Sequence, residues 1–105
     1  MSGIDDREKA FEAKYGKDQE MKFKAEMRRN RKIGAWAAQQ LGIEADAVEA
    51  YIDAVVDADF EKPGDQDVLE KLVADFKEHG IDISEHRIQL ELDRCLMEAK
   101  AELVA

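Results

Sequence analysis

A chain of 105 residues has room for one core, and its 39% charged and 45% hydrophobic content is too apolar for a wholly disordered polymer and suits amphipathic helices. The single cysteine excludes an internal disulfide, and with no Thr and one proline the alternation of β-branched residues that marks strands is missing. The net charge of −9 is unevenly divided: residues 1–32 carry ten basic against seven acidic side chains and the remainder six against eighteen, so one end of a small body is built to meet something acidic.

Gly16, Gly42, Lys62-Pro63-Gly64-Asp65 and His79-Gly80 punctuate the chain and leave four helical stretches. The first runs from about Asp6 to Leu41. From Phe23 onward its inward stripe reads Phe23, Met27, Asn30, Gly34, Ala37 and Leu41, with small residues that let a neighbouring helix come close; Ile33 and Trp36 lie off the stripe and are assigned to the core. Before Phe23 the stripe fades. Phe11 and Tyr15, at i and i+4, are the only large apolar side chains among Glu8, Lys9, Glu12, Lys14, Lys17 and Asp18, and Gly16 costs about 1 kcal/mol of helix propensity relative to Ala. This segment reads as a fraying helix that orders on binding.

The second stretch, about Asp46 to Phe60, places Val48, Tyr51, Ile52, Val55 and Val56 on one face, with an acidic face opposite. Asp65 and Asp67 open the third, whose buried face is Val68, Leu69, Leu72, Val73 and Phe76 and whose C-terminal cap is Gly80. Ser84 caps the last helix, with Ile88, Leu92, Cys95, Leu96, Ala99 and Leu103 as one stripe and Leu90, Met97 and Val104 as a second, so this helix is expected to be buried on more than one side. Cys95 within the main stripe reads as core packing. The fold class expected is all-α: a four-helix bundle over residues 20–105 with a flexible, partly helical N-terminal arm at 1–19.

Catalytic chemistry is poorly supplied. Ser2 and Ser84 are the only serines and His79 and His86 the only histidines, which leaves few candidates for a nucleophile with its base, and an enzyme is not expected. Gly16-Lys17 lacks the rest of a phosphate-cradling loop. Asp57-Ala58-Asp59-Phe60-Glu61 opens like a calcium loop, but Lys62 stands at the turn position and Val68 at the clamping position, so it reads as a solvated acidic helix end. No metal is expected at His79 or His86, which read as helix-capping or surface residues. Arg28-Arg29-Asn30-Arg31-Lys32 could contact phosphates, but the acidic body would repel a nucleic acid; the cluster reads as a solvated face or a dock for an acidic protein. Charges throughout the first twenty residues leave no signal peptide or membrane span, which places the protein in the cytoplasm with no direct membrane insertion.

Asp5-Asp6-Arg7-Glu8-Lys9-Ala10-Phe11-Glu12, Phe23-Lys24-Ala25-Glu26, Arg28-Arg29-Asn30-Arg31-Lys32, Gly34-Ala35-Trp36-Ala37-Ala38, Leu41-Gly42 and Val55-Val56-Asp57-Ala58-Asp59-Phe60 together resemble the zeta subunit of alphaproteobacterial F-type ATP synthases. The resemblance covers essentially the whole chain. It implies a four-helix bundle whose N-terminal arm inhibits ATP hydrolysis by entering a catalytic interface between the alpha and beta subunits and reaching the central rotor, the gamma subunit, at the cytoplasmic face of the inner membrane. The matching positions are Asp5, Asp6, Arg7 and Phe11 with their neighbours Lys9, Glu12, Lys14, Tyr15 and Lys17. From the residues themselves, Phe11 and Tyr15 are the apolar anchors, and Arg7, Lys9, Lys14 and Lys17 suit an acidic partner surface. No cofactor is required on this reading. The alternative, from another class, is a helical module with weak affinity for an adenine nucleotide or another small ligand.

Overall fold

In the computed structural model, which describes residues 19–59 and 64–104, apolar side chains recurring every three to four residues build four helices. These are α1 (Gln19–Leu41), α2 (Ala45–Asp57), α3 (Gln66–Glu78) and α4 (Glu85–Val104), and no strand occurs among the described residues. The part of the first predicted helix that precedes Gln19 lies outside the described residues.

The helix ends follow from local chemistry. Gly42 and Gly80 take φ of 71° and 68°, a left-handed backbone that a side chain would strain. Each closes its helix with the paired bonds of a Schellman turn: Ile43 N–H donates to the Ala38 carbonyl at 3.0 Å and Gly42 N–H to that of Gln39 at 3.2 Å, while Ile81 reaches Phe76 at 2.8 Å and Gly80 reaches Lys77 at 3.1 Å. Ser84 caps α4 as expected, its Oγ accepting the Arg87 N–H at 3.1 Å. Asp65 stands at the N-cap of α3, but its side chain makes no capping bond. Its carboxylate accepts from Gln89 Nε2 at 2.8 Å instead, tying the start of α3 to α4.

The core is Ile33, Ala37, Val55, Val68, Leu72, Phe76, Ile88, Leu92 and Cys95. Trp36 sets its ring edge against Phe76, with centroids 5.8 Å apart and planes at 82°, so the two residues placed off the α1 stripe do join the core. Burial pushes the Cys95 thiol above its ordinary pKa, as suits a packing residue. α1 is the spine, packing most extensively against α2 and α4, while α3 leans mainly on α4. The close approach of α2 occurs at Gly34, where an added Cβ would lie 3.3 Å from Ile52 Cα and 3.5 Å from Val55 Cβ. Tyr51 joins α2 to α3 by donating its hydroxyl to Asp75 at 2.7 Å, and burial followed by this bond raises its pKa.

Two expectations fail. Phe23, placed on the inward stripe of α1, is 50% exposed, because the stripe turns inward only from Ala25, ahead of Arg29, Asn30 and Ile33. The second stripe of α4 is not buried: Leu90 is 51% and Met97 73% exposed, since α1 and α3 cover α4 only along Ile88, Leu92, Cys95 and Ala99. Gly34→Val should therefore cost about 1–3 kcal/mol by forcing α2 away from α1, read as a lower urea midpoint with an unchanged slope. A conserved midpoint would show that the two backbones do not meet there in solution.

Candidate functional site

The basic cluster expected to face solvent or a partner is engaged by the chain's own acids. Arg28 and Lys32 both reach Glu102 near the end of α4, at 3.0 and 2.7 Å, and Lys32 also lies 3.6 Å from Glu98. Arg31 points the other way and meets Glu49 at 2.8 Å and Asp53 at 3.5 Å on α2. Arg28, Arg31 and Lys32 thus clamp α1 to both helices that flank it. The Lys32 and Arg28 bonds, in that order, hold the Glu102 carboxyl below its usual range, and the Glu102 bond raises Lys32 in return.

The fourth cation behaves differently. Arg29 is 4% and Asn30 0% exposed, and both converge on Asp59, just past the end of α2. Arg29 Nη2 donates to Asp59 Oδ2 at 3.2 Å, Asn30 Nδ2 donates to the same oxygen at 2.8 Å, and Arg29 Nε donates to Asn30 Oδ1 at 3.0 Å. Asp59 Oδ1 is buried without a partner among the described residues. Asp59 therefore departs from the solvated acidic helix end expected of this region, whereas Asp57 is exposed as predicted. A carboxylate at a helix C-terminus is unfavourable with the helix dipole, so the buried guanidinium is what makes the position tenable. Asn30 on the inward stripe was the readable signal, because a buried amide demands polar partners.

Beside these pairs lies an apolar surface. Phe23, Met27 and Leu103 form the floor of an open groove of about 360 Å³, rimmed by Lys24, Arg28 and Arg31. It lies on the N-terminal half of α1, beside the point where residues 1–18 join the bundle. The histidines play minor parts: His79 caps α3, its Nδ1 donating to the Asp75 carbonyl at 2.9 Å, and His86 is exposed. No group of three or more metal-ligating side chains occurs among the described residues. The predicted site residues Asp5, Asp6, Arg7, Lys9, Phe11, Glu12, Lys14, Tyr15 and Lys17 all lie outside the described residues.

A small bundle whose longest helix carries a further chain segment at its N-terminus, with a cation-rimmed apolar surface at that junction, is a scaffold for protein contact. The chain belongs to the family described as ATPase inhibitor subunit zeta, whose model matches residues 1–102. Membership gives it an inhibitory, regulatory role and association with ATP synthase. Comparison with curated proteins finds no match. No helix among the described residues is long and apolar enough to cross a membrane.

Removing Asp59 by Asp59→Ala strands a buried guanidinium and should cost about 3–5 kcal/mol, with Arg29→Met/Asp59→Ala losing clearly less than the two single changes added together. Additive urea midpoints would show that the pair is not coupled. The Glu102 clamp has its own pH signature. Because its folded pKa is depressed, its contribution is full above the ordinary glutamate value of about 4.3 and fades as pH falls through the lower folded value. A carboxyl-carbon NMR titration should place Glu102 below that ordinary value, and Lys32→Met should return it upward.

Proposed function

We propose that the protein inhibits ATP hydrolysis by inserting residues 1–19 between the alpha and beta subunits of the catalytic head until they reach the gamma subunit, with the bundle from residue 20 onward as the dock. The observation that carries this reading is that the family match starts at residue 1, so the shared pattern includes the weakly amphipathic N-terminal segment as well as the bundle. The fate of the basic cluster supports it. With Arg28, Arg29, Arg31 and Lys32 all engaged by the bundle's own carboxylates, the basic residues best suited to an acidic partner are Arg7, Lys9, Lys14 and Lys17. A stable bundle also keeps the segment at high local concentration beside its target.

Ordering a free segment in a cleft costs about 1–2 kcal/mol for each backbone residue fixed, so buried anchors must carry the affinity. Phe11 is the principal anchor and Tyr15 stands one helical turn behind it. Deletion of residues 1–18 should abolish inhibition of ATP hydrolysis while circular dichroism shows the helical content of the remaining chain retained. Phe11→Ala should raise the concentration for half-inhibition by about 30-fold, the equivalent of an anchor of about 2 kcal/mol. Full inhibition by the shortened chain would overturn the reading.

A further inference from the structure

The apolar groove sits where the bundle must meet whatever binds the N-terminal segment. Residues 1–18 run directly into α1 at Gln19, and at 1.5 Å per residue Phe23 is about 6 Å and Met27 about 12 Å along the helix from that junction. A target that grips the segment up to residue 19 therefore has these two side chains at its surface. Leu103 completes the floor from the end of α4. Phe23 is 50% exposed, and no described element covers the groove. The cations around it are already served within the bundle: Lys24 lies 3.6 Å from Glu20, Arg28 3.0 Å from Glu102 and Arg31 2.8 Å from Glu49. What this surface still offers a partner is apolar. The other large exposed apolar side chains among the described residues, Leu90 and Met97, face elsewhere, about 140° and 120° round α4 from Leu103 and opposite the buried stripe of that helix.

We infer that Phe23, Met27 and Leu103 make a second contact with the ATP synthase, at the mouth of the cleft that residues 1–19 enter, by receiving uncharged apolar side chains from the surface of the catalytic head. This rests on the insertion proposed above and adds to it the face by which the bundle sits on the enzyme. The contact need not be strong. An inserted segment holds the bundle at an effective concentration on the order of 1 mM, so a contact whose own Kd is about 0.1 mM is closed in about ten of eleven complexes and slows release about tenfold. Because the neighbouring cations are paired within the bundle, this gain does not depend on acids of the partner.

Hydroxyl-radical footprinting of the full chain, free and bound to ATP synthase, tests the contact with one methionine as reference for another. Phe23 and Met27 should lose most of their oxidation on binding, while Met97, 73% exposed in the free bundle, should keep its own. Met97 protected as strongly as Met27, or Phe23 and Met27 left as reactive as in the free chain, would overturn the inference. In inhibition assays Phe23→Ser, at a half-exposed site outside the core, should raise the concentration for half-inhibition about tenfold through faster release, and Met97→Ser should leave it unchanged. The ratio of Phe23→Ser to parent should be the same at low and high salt. A ratio that collapses at high salt would assign the groove to a charged partner surface, and protection of Phe23 that grows with concentration in the free chain would assign it to a second copy; either overturns the inference. Deletion of residues 1–18 separates the two readings. Inhibition that survives it overturns the proposed function, whereas inhibition lost on deletion, with no protection of Phe23 and Met27 in the full-chain complex, overturns only the contact at the mouth of the cleft.

Discussion

The bundle depends on one buried polar contact, the junction of Arg29, Asn30 and Asp59. Placing a guanidinium and a carboxylate out of water is expensive, and an apolar trio of similar volume would hold the helices together at least as well. What the ionic version adds is position. Arg29 and Asn30 occupy successive places on α1, and Asp59 stands just beyond α2, so the three side chains meet only in one axial register of the two helices. Gly34, farther along α1, fixes the separation of the same pair by admitting Ile52 and Val55 to contact. Register and distance are thus set at two different places on α1, a little over one turn apart.

Around that junction the surface charges have a mainly internal purpose. An acidic body with a basic N-terminal end suggests attraction to a foreign polyanion or an acidic partner, and the basic run on α1 is indeed the densest in the chain. Arg28 and Lys32 turn to α4 while Arg31 turns to α2, as the helical spacing of these positions requires. Exposed pairs of this kind contribute little each. Their value lies in neutralising part of a strongly acidic scaffold, so that α2 and α4 can flank the same helix.

Most of the fold was legible because it rests on apolar periodicity and turn chemistry, which are local. Gly42, Gly80 and Ser84 act as their residue types dictate, and the buried faces of α2 and α3 match the spacing of Ile52, Val55, Val68, Leu72 and Phe76. The errors concern which of several apolar faces gets covered. Leu90, Met97 and Phe23 are as hydrophobic as their buried neighbours, and only the number and placement of the other helices decides that they remain outside. Arg29 escaped notice for a related reason: four neighbouring cations look alike in a sequence, and the one that is buried is chosen by a partner 30 residues away. Of the site, the sequence marks Phe11, Tyr15 and the charges around them, and the family match covers that stretch, while the groove needed the meeting of α1 with the end of α4 to become visible.

α1 lies lengthwise against two partners, and this orientation has a mechanical meaning. A pull on the N-terminus of Gln19 runs nearly along the axis of α1, so the contacts with α2 and α4 are loaded in shear. Contacts sheared side by side share a force and yield together, whereas contacts at a peeling end yield one after another. The ion pairs to Glu49, Asp53, Glu98 and Glu102 and the buried Asp59 junction all spring from little more than one turn of this rod, between Arg28 and Lys32. A chain end held along that rod would be loaded in the direction in which this bundle shares strain most widely.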